Sequence, residues 1–134
     1  MNNKILIIDG NKFSDLEGLV REFNVNVFGD KEPTPSHRTW GGGLDQFNDL
    51  LRGGYGTPEG VFTIHWLNSH KSKEDLEYKA TLTWLETKKD KIHPANKERW
   101  SERIELMKYS IGETLFEMII AIVVSHKNIT LILD

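Results

Sequence analysis

The chain of 134 residues contains no cysteine. Disulfide bonds, thiolate nucleophiles and thiolate metal ligands are therefore excluded, and a reducing compartment is permitted. Long hydrophobic runs are also missing. The longest, Leu115 to Val124, has ten residues interrupted by Glu117, about half the length that a bilayer span requires. The apolar run near the start is too short for a signal peptide, so we expect a cytoplasmic protein that does not enter a membrane.

The sequence has no excess of positive charge. The net charge is -3, and residues 1–60 hold nine acidic and six basic side chains, against eleven of each in residues 61–134. Proteins that bind RNA or DNA usually present a basic surface to the phosphates, so direct nucleic-acid binding is disfavoured. Charged residues make up 28% and hydrophobic residues 38% of the chain. This balance is typical of a globular protein, and we expect a single domain over residues 1–134.

Alternating short and long apolar patterns predict an α/β fold. Runs rich in β-branched residues predict three strands, at Lys4 to Gly10, Val61 to Leu67 and Ile129 to Asp134. Helical segments between them require a parallel sheet with right-handed crossovers. The first run resembles a strand buried on both faces of its sheet. Ser14 and Glu17 have the spacing of a capping box, which predicts the start of the first helix.

Apolar residues at helical spacing predict three helices in the second half of the chain. The last, Leu115 to Val124, is apolar on nearly all sides and should be buried, although its β-branched residues make a strand the competing interpretation. The residues that mark the other two helices of the second half are Leu76, Ala80 and Trp84, and then Trp100, Ile104, Met107 and Ile111. In the first half of the chain, two prolines predict a polar loop at Asp30 to Arg38.

A short helix is predicted between two glycine clusters, within Trp40 to Gly53. Its apolar stripe consists of Leu44, Phe47 and Leu51. The polar stripe of the same helix contains Asp45, Asn48, Asp49 and Arg52.

Asp45 and Asp49 are like charges one turn apart, which cost a helix about 0.2 to 0.5 kcal/mol. Such a local cost is expected where residues serve a partner. A simpler interpretation makes Asp45 a helix cap and Asp49 an ordinary solvated charge.

Three segments together resemble the barstar family of ribonuclease inhibitors. They are Ile7-Ile8-Asp9-Gly10, the stretch Trp40 to Gly53, and Asn128 to Asp134, in the order that the family has. Phe62 to Leu76 is also similar to the family's second strand and following helix. The resemblance covers most of the chain, apart from the loop before Trp40 and an added helical insertion at about residues 77–110.

The resemblance implies a barstar-like α/β fold, a three-stranded parallel sheet flanked by helices. It also implies a protein that performs no catalysis and uses no cofactor or metal. Its partner would be a cognate ribonuclease toxin, delivered between bacteria and bound one to one. The family's two principal acidic contacts carry over to Asp45 and Asp49, whereas a further acidic contact falls near Ala121 and is lost. The other partner-binding residues implied are Trp40, Gly41, Gly42, Gly43, Asn48 and Arg52.

Two other classes of function stay open. A metal-dependent hydrolase or nucleotide-binding enzyme would use Asp9, Asp45 or Asp49 as metal ligands or bases, yet no His-x-x-x-His pair and no Gly-Lys-Ser/Thr phosphate loop occurs. A barstar-fold interaction module would instead bind a different protein through the inserted helices. Turnover with divalent metals would favour the enzyme, and an exposed Trp100 would favour the interaction module.

Overall fold

The computed structural model describes residues 4–29, 39–53 and 57–134. The loop predicted at residues 30–38 lies outside these ranges. Within them the chain forms three strands, β1 (Lys4–Asp9), β2 (Phe62–Leu67) and β3 (Ile129–Leu133). The α-helices of the same ranges are α1 (Leu16–Phe28), α2 (Leu44–Leu51), α3 (Ser69–Asp75), α4 (Tyr78–Lys88), α5 (Lys97–Met107) and α6 (Leu115–Ser125).

The three strands form one parallel sheet in the order β1-β2-β3. In its register, Ile7 pairs with His65, and His65 pairs with Ile132. The predicted α/β class, with a three-stranded parallel sheet flanked by helices, is therefore confirmed. The observed limits of each strand differ from the predicted ones by only one residue at one end, because the β-branched runs coincide with the strands.

Among the described residues, the helices cover one face of the sheet. Leu6, Ile8 and Trp66 are buried on the covered face, while Ile5 and Ile7 lie exposed on the opposite face. The prediction that the first strand is buried on both faces is therefore wrong. Right-handed crossovers between strands in sequential order place their connections on the same side of a sheet, so the described helices of both connections are expected on the covered face.

Side-chain caps set the starts of α1 and α6. Asp15, and not Ser14, caps α1, since its carboxylate accepts a hydrogen bond of 2.7 Å from the Gly18 N–H. A full capping box occurs instead at α6, where Thr114 and Glu117 exchange side-chain and backbone hydrogen bonds. This cap decides for the helix and against the competing strand. The α6 helix is buried on one side only, because Val124 is exposed.

The predicted insertion contains α4 and α5, which share a small core of their own. Leu85, Ile104 and Met107 are its buried residues. Trp84 and Trp100 pack beside it with ring centres 5.8 Å apart, and Trp100 Nε1 donates a 2.8 Å hydrogen bond to the Leu85 carbonyl. The helix predicted to reach Ile111 ends earlier, at Met107, and Ile111 is exposed.

No helix of the described ranges is long and apolar enough to cross a bilayer.

We predict that Gly10→Ala lowers the free energy of unfolding by about 1–3 kcal/mol, the usual cost of overpacking. Gly10 is buried directly after β1, where an added Cβ would lie 2.5 Å from the Asn68 carbonyl oxygen and 2.5 Å from Ser72 Oγ. Ser72 cannot easily move, since its hydroxyl accepts a 2.9 Å hydrogen bond from Trp66 Nε1. Urea denaturation measures the change. A loss no larger than that of Gly41→Ala, a control on the surface, would contradict this packing.

Candidate protein-binding surface

The inner face of α2 is fixed by an aromatic cluster. Phe47 lies between Phe23 and Trp40, with ring-centre distances of 5.4 Å and 4.7 Å. Leu50 and Leu51 are buried beside it, whereas Leu44, predicted for the buried stripe, is only half-buried. Close-packed aromatic side chains hold a helix in one orientation. The outer face of α2 is therefore presented in a defined direction.

Trp40 belongs to the core. Its side chain is 2% exposed, and its Nε1 donates a 2.8 Å hydrogen bond to the Gly43 carbonyl. The Asn24 side chain accepts from the Trp40 N–H and donates to the Trp40 carbonyl, both at 2.8 Å. The ring has no surface to offer a partner, which corrects the contact role implied for it. Trp40 instead holds the start of α2 in place.

The segment before α2 is fastened by a second amide side chain. Gln46 accepts a 2.8 Å hydrogen bond from the Gly41 N–H and donates a 2.9 Å hydrogen bond to the Thr39 carbonyl. This role of Gln46 could not be predicted from the sequence, since a glutamine on a polar helix face is ordinarily solvated. Segment 39–43 is consequently ordered before any partner arrives.

The three glycines before α2 serve different purposes. Gly42 is buried with a φ of +102°, a conformation that side chains with a Cβ rarely adopt. Gly43 is the N-cap residue, with an ordinary extended backbone. An added Cβ would meet only Gln46 atoms, at 3.5 Å from Gly41 and at 4.0 Å from Gly43. Of these three positions, only position 42 requires glycine for the fold. At Gly41 and Gly43 the absence of a side chain leaves the backbone open to close approach by another molecule.

Two carboxylates lie on the outer face of α2. Asp45 is exposed in the first turn, where the helix dipole favours a negative charge. It makes no capping hydrogen bond, because the N-cap position is Gly43. Asp49 is 65% exposed, and its Oδ1 lies 3.8 Å from Arg52 Nη1. An exposed pair of this kind contributes about 0–1 kcal/mol, so both carboxylates stay accessible to a partner.

Asn48 is held apart from the two carboxylates. It is half-buried, and its Oδ1 lies 2.7 Å from Nε2 of His126, the C-cap residue that follows α6. The structure thus brings Asp45, Asp49 and Arg52 together on the outside of α2, and it turns Asn48 towards α6. The role of His126 carried no sequence signal, because the two residues are 78 positions apart.

The end of α2 is closed by backbone hydrogen bonds. The N–H groups of Arg52 and Gly53 donate to Asp49 and Leu50 carbonyls at 3.1 Å, and the Thr57 hydroxyl also donates to Leu50. Gly53 has a φ of +90°, as expected for a glycine that terminates a helix. The predicted glycine stop is confirmed, and α2 is fixed at both ends.

The residues considered for an enzyme do not form a metal site in the part of the chain that the structure describes. Within residues 4–29, 39–53 and 57–134, no three His, Asp or Glu side chains are placed to hold a metal ion. Asp9 accepts hydrogen bonds from the Asn11 N–H and the Asn68 side chain, which lower its pKa. These bonds tie the Asp9 carboxylate into the turn that follows β1.

A cavity of about 730 Å³ lies between the start of α1 and α4, away from α2. Trp84 and Tyr78 contribute to its apolar lining. The acidic residues that line the cavity are Asp15, Glu17, Glu74, Asp75 and Glu77. Negative side chains around a cavity repel the phosphates of a nucleotide.

Trp100, whose exposure would favour the interaction module, is half-buried in the small core of α4 and α5.

We predict that Gly42→Ala lowers the free energy of unfolding by about 1–3 kcal/mol, because alanine must adopt a left-handed backbone there. Gly41→Ala is the matched control one position away, with room for a Cβ, and should change stability by less than about 0.5 kcal/mol. Chemical denaturation of both variants provides the measurement. Equal losses for the two would show that the φ of Gly42 is not what the fold requires.

Comparisons of the chain with models of protein families, with curated proteins and with solved structures found no match. The resemblance to the barstar family therefore depends on the quoted segments alone. A function for this chain has to come from the chemistry of the surface on α2.

Proposed function

We propose that the protein is a barstar-like immunity protein, which binds a cognate bacterial ribonuclease toxin one to one and blocks its active site with α2. One observation carries the proposal. Asp45 and Asp49 lie one turn apart on the exposed face of α2, while the opposite face of the same short helix is locked into the aromatic core. The protein acts by binding and not by catalysis.

The chemistry of the target explains why two carboxylates serve. A ribonuclease gathers arginine, lysine or histidine side chains around the phosphate that it cleaves, because negative charge develops there during the reaction. Carboxylates on a projecting helix stand where substrate phosphates would, and they attract the positively charged cleft over a distance. Asp45 and Asp49 supply that charge in a fixed arrangement.

The order of the surface supports tight binding. An interface that has to order loops and side chains on binding loses affinity to that entropy. Segment 39–43 is already held by the hydrogen bonds of Asn24 and Gln46. Bare backbone at Gly41 lets the edge of a cleft approach closely. The cost of ordering before binding is therefore small.

The fold agrees with the proposal at a coarse level. A three-stranded parallel sheet flanked by helices is what the resemblance implies, but other α/β proteins share such a fold, and fold alone does not define a function. The departures matter for the identity of the toxin. Ala121 supplies no carboxylate and Trp40 is buried, so we expect the toxin to place its cations opposite α2.

We predict that Asp45→Ala and Asp49→Ala each weaken inhibition of the cognate toxin by about 30-fold or more, the loss expected of an interface hot spot of about 2 kcal/mol. Both side chains are exposed, so stability should change by less than about 0.5 kcal/mol. The measurement is cleavage of a labelled RNA by purified bacterial ribonuclease toxin domains, each titrated with this protein.

Glu17→Ala is the matched control, since it removes one exposed negative charge from α1, away from α2. It should leave inhibition within about threefold of the parent protein, because a distant surface charge is screened. Inhibition that is insensitive to both α2 substitutions would refute the role of α2. A protein that inhibits no ribonuclease of a broad panel would refute the proposed function.

A further inference from the structure

A second candidate binding site is the cavity of about 730 Å³ between the start of α1 and α4, here called the α1–α4 cavity. None of its lining residues belongs to α2, so it lies apart from the proposed inhibitor surface. Its volume falls within the roughly 300–1,000 Å³ that is typical of small-molecule sites. Leu16, Tyr78, Ala80 and Trp84 contribute apolar lining. Such a lining suits the apolar body of an organic ligand.

The acidic residues of the cavity gather near the start of α4, here called the acidic end. Glu77 is the N-cap residue of α4, and Glu74 and Asp75 lie at the end of α3 just before it. Lys71 Nζ lies 2.6 Å from Asp75 Oδ2 and 3.4 Å from Ser14 Oγ, which brings the start of α1, with the other two acids, to the same place. Further along α4 the lining residues are uncharged, namely Ala80, Thr83, Trp84 and Thr87.

The acidic end keeps a negative charge after its ion pairs are counted. The lining holds five carboxylates and one basic residue, Lys79. Outside the lining, Arg21, His70 and Lys71 each pair with one of these carboxylates. Even with His70 protonated, five negative charges outnumber four positive ones. The cavity therefore attracts a cation and repels an anion.

Trp84 differs from the other tryptophans in its hydrogen bonding. The Nε1 atoms of Trp40, Trp66 and Trp100 each donate a hydrogen bond of 2.8 or 2.9 Å. Trp84 Nε1 is buried and has no acceptor among the described residues. A buried N–H that no neighbour accepts is rare, and one explanation is a bound ligand or solvent molecule. The exception falls on a residue that lines the α1–α4 cavity.

We propose that the α1–α4 cavity binds a small organic cation, an amine with an apolar body. Its ammonium group lies at the acidic end, where carboxylates accept its hydrogen bonds and the ring of Tyr78 adds to the attraction. Its apolar body extends along α4 towards Trp84 and Thr87. The lining of α4 runs from Glu77 to Thr87, about 15 Å at the rise of a helix.

The size of the cavity favours a small molecule over a protein as the occupant. A protein partner would need contacts well beyond the cavity, since stable interfaces bury about 800 Å² on each side. The amine site does not depend on the proposed inhibitor function, because Asp45 and Asp49 are not part of its lining. Each of the two proposals can fail without the other.

NMR titration of the isotope-labelled complete chain with phenethylamine, a protonated amine on an aromatic body, tests the proposal. The indole N–H signal of Trp84, assigned from its loss in Trp84→Phe, should shift and saturate with a Kd of about 0.1–1 mM. Phenethyl alcohol has the same body without the charge and should bind at least about tenfold more weakly. Hydrocinnamate, which carries a negative charge, should not bind.

Glu77→Gln removes one charge from the acidic end and should weaken the binding of phenethylamine by about threefold. Glu86→Gln is the matched control, since Glu86 is also exposed on α4 but does not line the cavity. It should bind as the parent protein does. Glu77 makes no side-chain capping hydrogen bond, so α4 should remain folded, which circular dichroism establishes. If Glu77→Gln does not fold, Glu74→Gln removes a charge from the same end.

A Trp84 signal that does not move up to about 10 mM phenethylamine overturns the proposal. Equal affinities for the amine and the alcohol also overturn it, as does equal binding by Glu77→Gln and Glu86→Gln. A capped lysine-phenylalanine dipeptide that binds at least about tenfold more tightly than the amine would refute a small molecule as the occupant and indicate a protein segment.

Discussion

Parallel strands that follow one another in sequence have to be joined by crossovers, and right-handed crossovers between strands in the order β1-β2-β3 all lie on one side of the sheet. This constraint determines where each apolar residue can be buried. Leu6, Ile8 and Trp66 are buried in the core that the helices share, whereas Ile5 and Ile7, on the same strand as Ile8, are exposed. A sheet whose strand order reverses would have helices on both faces. The exposure of Ile5 and Ile7 is therefore a consequence of the order in which the strands are connected.

One face of α2 serves the stability of the fold, and the other carries the carboxylates of the proposed binding surface. Phe47, Leu50 and Leu51 fix α2 to the core, and the buried ring of Trp40 packs in the same core. The outer face, free of packing requirements, carries two like charges that contribute little to the fold and that a helix in isolation would disfavour. Because the glycine at position 42 and the amide side chains of Asn24 and Gln46 hold the preceding segment, the charges project from a rigid support. Such a division is expected where local features serve a partner.

Much of the fold could be predicted from the sequence, since strands and helices differ in the period of their apolar residues. The three strands and the short α2 helix were recognised in this way. Burial of both faces of β1 was predicted wrongly, because a run such as Ile5 to Ile8 is apolar on both sides whether or not a second layer covers it. Asp15 is the N-cap residue of α1 in place of the predicted Ser14, since either of these adjacent residues has a side-chain oxygen that could accept the capping hydrogen bond. Trp40 shows the limit for the site. An aromatic residue beside glycines suits a binding loop or a core equally well, and its partners Asn24 and Phe23 are determined only by the tertiary fold.

The proposed binding through α2 depends on charge, and salt weakens it because the Debye length is about 8 Å at physiological ionic strength. The core beneath α2 is close-packed, and a close-packed core resists displacement. The two carboxylates should therefore keep their positions when a partner binds, so that the affinity depends on how well the cations of the partner match a fixed pair of charges.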